Sequence, residues 1–252
     1  MKTARVRQLV ESTAPGRFVR SGKNGCFRAV DRAGKLTGPR LCGITKRLHE
    51  RVFGDADPPC NRCVWRGSAW KGAKGGIRRG KAVDSQVSRL AKLTDAQRAD
   101  ASQLKLTKLT FAALRYHGLT PVTAQRVVLD EVLNVGTAID IICLRGSELC
   151  VTELKTGYAG DRAVAARVGG AAQMMQRPFH RASDCVLHRH FAQLAATLAL
   201  FESEIETINT LKEIGVTNVR GILLYVNDAE TELHELPDWW ARRGDKLLSV
   251  LC

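Results

Sequence analysis

The chain has 252 residues, 44% of them hydrophobic and 25% charged, with a formal net charge of +14. That length suffices for one sizeable buried core, and no apolar run is long enough to span a bilayer. With no charged-then-apolar leader in view and eight cysteines in no secreted-framework spacing, the expectation is a soluble intracellular protein without a membrane partner. Its compartment is then cytoplasmic or nuclear, with a mitochondrial presequence over residues 1–23 as the alternative.

Charge divides the chain unevenly. Residues 1–81 hold 20 Lys/Arg against 5 Asp/Glu, and residues 82–252 hold 19 against 20. Basic charge gathered in one region is the footprint of a nucleic-acid binder, set against a plain solvated arm. We therefore expect two parts, a basic nucleic-acid-binding region over 1–79 and a catalytic domain over 80–252. In the first part, residues 17–20 and 26–30 read as a small hairpin and residues 41–53 as a short helix, with no clean amphipathic helix before them. Cys60-Asn61-Arg62-Cys63 is one C-x-x-C pair. Structural zinc needs a second ligand pair, and none stands nearby, so free thiols are the preferred reading. Residues 65–81 are the most basic stretch: their glycines allow close backbone approach to phosphate, and Lys71, Lys74, Arg78, Arg79 and Lys81 supply charge.

From Lys81 to Lys92 the spacing of Val83, Val87, Leu90 and Ala91 predicts a helix, and residues 95–117 predict one or two more. Residues 121–129 lead into a sheet. Two apolar runs follow, 136–144 and 149–154, split by Arg145-Gly146-Ser147-Glu148, and both read as strands. The first carries Asp140. The second delivers Glu153 and Lys155 to one face, since side chains alternate along a strand. Two carboxylates and a lysine at one strand end suit a divalent cation. Mg²⁺ or Mn²⁺ prefers carboxylate oxygen, lowers the pKa of bound water, and offsets charge on phosphorus. A hairpin with a surface Glu–Lys pair is the plainer alternative. Asp130 and Glu131 stand close by in sequence but outside the Gly-x-x-x-Asp context of Asp140.

Residues 173–179 predict a helix ending at Pro178, and residues 190–214 one long helix with an apolar stripe and Gly215 as its stop. His190, Gln193 and Thr197 share a neighbouring face at spacings of three and four. Residues 218–227 read as a buried strand, 231–236 as its antiparallel partner, and 238–251 as a closing helix with Trp239 and Trp240 as core anchors.

Asp140 followed by Glu153-Leu154-Lys155-Thr156-Gly157 resembles the motif of the PD-(D/E)xK nuclease superfamily, and His190 with Gln193 resembles the glutamine helix of its RecB-like exonuclease branch. The likeness spans residues 80–227. It implies an α/β fold, a central mixed sheet flanked by helices with a restriction-endonuclease-like core. It implies Mg²⁺- or Mn²⁺-dependent hydrolysis of DNA, leaving 5′-phosphate and 3′-hydroxyl ends. Asp140 and Glu153 would hold the ion, with the Leu154 carbonyl as a third ligand, while Lys155 and Gln193 attend the attacking water. Asp84 stands where the branch has a metal-binding histidine and either binds the metal, directly or through water, or is an exposed first-turn helix residue; Gln125 stands near where the branch has a glutamate and is expected on water or DNA. Tyr158, Arg162 and His190 are expected to contact the nucleic acid; the small-residue, basic connection that follows Lys155 and runs to Arg181 either arches over the site and contacts DNA through Arg162, Arg167, Arg177 or Arg181, or is a plain surface connection. The four-cysteine cluster of some RecB-like enzymes does not carry over, because Cys252 stands alone near the C-terminus. The first reading is an exonuclease of recombination, repair or genome processing. A structure-specific endonuclease and a non-catalytic nucleic-acid-binding scaffold are the alternatives.

Overall fold

A computed structural model describes residues 2–14, 17–21, 26–30, 33–58, 72–158 and 160–251. The C-x-x-C pair at Cys60 and Cys63, and with it the zinc expectation, lies outside the described residues, as do Trp65, Trp70, Lys71 and the side chain of Lys74. The chain opens with α1 (Lys2–Ser12), then β1 (Arg17–Ser21), β2 (Cys26–Val30), β3 (Leu36–Gly43) and α2 (Ile44–Arg51). Three helices follow, α3 (Gly72–Leu90), α4 (Asp95–Asp100) and α5 (Lys105–Tyr116). They lead into the strands β4 (Thr120–Asp130), β5 (Val135–Arg145) and β6 (Glu148–Thr156). After the small β7 (Arg167–Val168) and β8 (Ala171–Ala172) come α6 (Val186–Glu202), α7 (Ile205–Glu213), β9 (Asn218–Val226), β10 (Thr231–Glu235), α8 (Asp238–Ala241) and α9 (Gly244–Val250).

The architecture is α/β. Eight strands form one mixed sheet in the order β1-β2-β3-β5-β6-β9-β10, with β4 on the other edge of β5. Strand alternation sorts side chains onto two cores. From β6, Leu149 and Val151 face one core, built with α1, α2, α6 and the C-terminal helices, while Cys150 and Leu154 face the other, built with α3 and α5. β9 does the same, with Leu223 and Tyr225 on the first face and Ile222, Leu224 and Val226 on the second. A near-continuous apolar run such as Ile222-Leu223-Leu224-Tyr225-Val226 is what a strand buried on both faces requires.

The pairing of β5 has one feature that shapes everything downstream. Along one edge it pairs with β4 from Val135 to Leu144. On its other edge its first residues, Val135 and Gly136, pair in parallel with Cys42 and Gly43 of β3, and residues 141–145 pair with β6. Between these partners, Thr137 to Asp140 have no strand on that edge among the described residues. The sheet forks there.

The structure corrects several expectations. The boundary expected at 79/80 falls inside α3, and β3 joins the sheet while α2 packs Ile44 and Leu48 into the main core. Residues 2–12 form α1, whose Val6 and Val10 are fully buried, although the segment has no acid in its first turn to advertise a helix start. The long helix expected over 190–214 starts earlier and breaks at Ser203-Glu204. There Glu204 turns to meet Arg126, with Nη1 to Oε1 at 2.9 Å and Nη2 to Oε2 at 2.6 Å. Residues 173–179 are not helical. Gln173 is held instead by Asp184 (2.7 Å) and by the Ala56 carbonyl (3.1 Å). The closing helix is split into α8 and α9. Gly244 opens α9 against α6, where a Cβ would stand 2.7 Å from the Ala199 Cβ and 2.8 Å from the Ala195 carbonyl oxygen.

Candidate functional site

The fork in β5 opens a cleft of ≈ 700 Å³. Asp140 and Lys155 lie at it with Glu153 and Gln193, and Asp84 of α3 and Gln125 of β4 also line it. The opposite wall is α2, through Thr45, Lys46 and His49.

Local geometry explains the convergence. Ile141 pairs with Thr152, so the same register carried one step further sets Asp140 across from Glu153. Cross-strand neighbours on one face lie close enough to interact directly. Glu153 and Lys155 share the face of Val151, which is the face covered by α6, and Gln193 of α6 therefore reaches them. Lys155 Nζ donates to Glu153 Oε1 at 2.6 Å and to Gln193 Oε1 at 3.0 Å, and Gln193 Nε2 donates to the same Glu153 oxygen at 2.6 Å. Gln193 thus holds the lysine and the carboxylate in one three-membered network. Asp140 Oδ2 accepts the Leu154 N–H at 2.9 Å, a bond that stands in for the strand pairing lost at the fork. Its Oδ1 accepts from Gln125 Nε2 at 3.3 Å. Gln125 has φ of +55°, a conformation few non-glycine residues adopt, and it does so beside the site.

The electrostatics are those of crowded carboxylates, Glu153 buried and Asp140 and Asp84 half-buried. Burial pushes the Asp140 carboxyl well above the ordinary aspartate range, and Glu153 and Asp84 push it further; Lys155 and the Leu154 N–H act in the opposite sense. Burial alone depresses Lys155, but Glu153 and Asp140 outweigh it and leave its pKa raised, so the lysine is an ammonium at neutral pH. Among the described residues no group of three His, Cys, Asp or Glu is arranged to hold a metal ion by itself.

Of the other expected site residues, some are brought here and others are not. Leu154 lines the cleft and contributes its N–H to Asp140. Arg78 and Lys81 are exposed on α3. Three residues expected to contact nucleic acid are buried. Arg79 is buried and paired with Asp228 at 2.7 Å. Arg162 is buried between Glu232 and Glu230, its guanidinium 4.3 Å from the Tyr225 ring centroid. His190 is buried, its Nδ1 2.7 Å from Tyr225 Oη, and burial together with Lys155, Arg162 and Arg189 depresses its pKa, which keeps it neutral. Tyr158 is half-buried with its ring edge-on to His190 at 4.9 Å, so it supports the α6 face. Gln125, expected on water or DNA, bonds Asp140 instead. Asp130 accepts the Leu133 N–H (2.9 Å) and lies apart from the cleft lining.

Sequence reasoning missed the α2 wall and the network that braces it. Asp184 is 0% exposed and accepts from Arg189 (2.6 and 2.9 Å), Gln173 Nε2 (2.7 Å) and the Gly54 N–H (2.7 Å). One signal was present: Asp184 is the only acid between Asp161 and Glu202. No helix of the described residues is long and apolar enough to cross a membrane. No protein-family model matches the chain, and no curated protein matches it.

Proposed function

We propose that the chain is a metal-dependent DNA nuclease of the PD-(D/E)xK kind, with a restriction-endonuclease-like core, and that it acts as an exonuclease. The observation that carries this reading is the meeting of Asp140, Glu153, Lys155 and Gln193 at the open fork of the sheet. Asp140 and Glu153 would hold Mg²⁺ or Mn²⁺. The crowding that raises the Asp140 carboxyl fits this role, because a cation relieves the repulsion among Asp140, Glu153 and Asp84. A cation held here would draw on the Asp140 and Glu153 carboxylates and leave its remaining positions to water and phosphate, as Mg²⁺ commonly does. Asp84 and the Leu154 carbonyl would be further oxygen donors in this reading, both residues lining the cleft.

Bound there, the ion supplies an activated water and neutralises charge on the scissile phosphate. Lys155, as an ammonium, donates to the attacking water and to the phosphate oxygen on which charge grows. It is unsuited to remove a proton while so charged. Gln193 fixes the position of that ammonium and of Glu153. The water oxygen gives up a proton to bulk solvent and bonds to phosphorus as the bond to the 3′ oxygen breaks, and the 3′ oxygen leaves with a proton from solvent. The ends are then 5′-phosphate and 3′-hydroxyl. The glutamine helix supports the exonuclease branch over a structure-specific endonuclease, since Gln193 touches both Glu153 and Lys155.

Incubation with labelled linear and circular DNA in Mg²⁺, Mn²⁺ or EDTA tests this. Loss of linear DNA alone, dependent on the metal, is the expected result. Cutting of circles moves the assignment to an endonuclease. Binding without cutting in every metal leaves a nucleic-acid-binding scaffold.

A further inference from the structure

Residues 162–183 form a strap that joins the lysine strand to the glutamine helix, and they carry four arginines and no acid. Arg162 is buried in its ion pairs, but Arg177 and Arg181 are exposed and form no ion pair among the described residues. The turn that carries them is nevertheless firmly held. Met175 N donates to the Ala182 carbonyl at 3.0 Å, Ala182 N to the Phe179 carbonyl at 2.9 Å, and buried Phe179 stacks on Trp240 at 6.2 Å.

This turn is tied to the far end of α2. Gln176 N donates to the Val52 carbonyl at 2.8 Å, and Gln176 Nε2 to the Phe53 carbonyl at 2.7 Å. Along α2, His49 touches Phe53 ring to ring at 4.9 Å, and His49, Lys46 and Thr45 reach the cleft. Lys46 has only a solvated pairing with Glu50 at 3.5 Å, which a phosphate can displace. The cleft, the length of α2 and the arginine turn are thus consecutive. Eight residues of helix measure ~12 Å, or about three to four nucleotides at the ~3.4 Å rise of a DNA strand.

We infer that Lys46, Arg177 and Arg181 form a phosphate track along α2 that grips a nucleic-acid strand about three to four nucleotides from the cut. The inference rests on the nuclease reading for its orientation. Charge complementarity identifies the occupant: exposed guanidinium groups on an acid-free, braced turn suit a run of phosphates. The track would make affinity depend on strand length, because a trinucleotide in the cleft stops short of the arginines.

The test uses the full chain carrying Lys155→Ala, so that binding is read without cutting, and fluorescein-labelled DNA oligonucleotides of about 3 and about 20 nucleotides, lengths set either side of the reach of α2. Adding Arg177→Gln with Arg181→Gln is expected to weaken binding of the longer oligonucleotide and to lower the steepness of its salt dependence by ~1.4, or ~0.7 per lost phosphate contact on a single strand. The shorter oligonucleotide should be unaffected. Arg177→Glu with Arg181→Glu should go further in the same direction. Lys108→Gln with Arg115→Gln removes the same charge from α5, on the opposite layer of the sheet, and should leave the slope unchanged. Equal losses from both pairs, or no loss from the strap pair, overturn the track. If the protein with Lys155 intact cuts no DNA but the strap pair alone flattens the slope, the track stands and the nuclease reading falls. If it cuts and the slope is unmoved, the reverse holds.

Discussion

Asp140 is the residue on which function and stability conflict. Its carboxyl is raised in the folded protein by burial, by Glu153 and by Asp84, whereas an unfolded aspartate titrates near ~3.9. The native state therefore holds the proton more tightly than the unfolded one. The Asp140 contribution to stability is fully present below the unfolded value and is lost as pH rises through the raised folded value. In EDTA at neutral pH, Asp140→Asn should raise the melting temperature while abolishing cleavage. Added Mg²⁺ or Mn²⁺ should stabilise the unmodified chain and not the variant. A melting temperature for the variant below that of the parent in EDTA would contradict this account. Lys155→Ala should lower the cleavage rate by roughly a hundredfold or more, the scale of losing one donor to transition-state charge. Gln193 acts by holding Glu153 and Lys155, so Gln193→Ala should cost about tenfold to a hundredfold, the range for a residue that orients a metal or catalytic ligand. Rate measurements at saturating and limiting DNA separate these effects from weaker binding.

At the scale of elements, two buried ion pairs decide where helices stop and how the cleft wall is braced. Arg126 is a β4 residue, 2% exposed at its side chain, that grips Glu204 at the corner between α6 and α7 and donates to the Val10 carbonyl of α1 at 2.9 Å. Removing it leaves a partly buried carboxylate and an unpaired helix carbonyl. Arg126→Ala should destabilise the fold by about 3 kcal/mol or more, read by chemical denaturation. Asp184 plays the corresponding part for the α2 wall. Its oxygens receive Arg189, Gln173 and the Gly54 N–H, which join α6, the strap and the segment after α2. Asp184→Asn should cost about 3–5 kcal/mol. It should also raise protease sensitivity within residues 160–185 before global unfolding, because the strap depends on those bonds.

At the scale of the molecule, the basic excess of the first 81 residues and the folding role of that region are separate matters. Val6, Val10, Ile44, Leu48, Val52 and Phe53 belong to the main core, and β3 extends the sheet beside the fork. Deleting residues 1–53 should therefore give a chain that aggregates or lacks a cooperative melting transition. A soluble, cooperatively folding truncation that had merely lost DNA affinity would restore the picture of an appended arm.

Much of this was legible in the residues themselves. The strands around Asp140 and Glu153, the shared face of Glu153 and Lys155, and the β9–β10 hairpin followed from alternation and turn chemistry, which are local properties. So did the spacing that sets Gln193 three residues after His190. The fork was not legible, because it depends on β3 and β6 leaving the same edge of β5, and pairing between distant strands leaves no periodic trace. The break at Glu204, the burial of Arg79, Arg162 and His190, and the α2 wall have the same origin. A charged or polar side chain reads as exposed until a partner far along the chain is known. The sequence by itself determined most of the elements and the residue types of the candidate site. Only the tertiary structure decided which charges are neutralised in the interior and which remain open to a ligand, since that choice rests on contacts between segments separated by 35 residues (His190 and Tyr225) to 149 residues (Arg79 and Asp228).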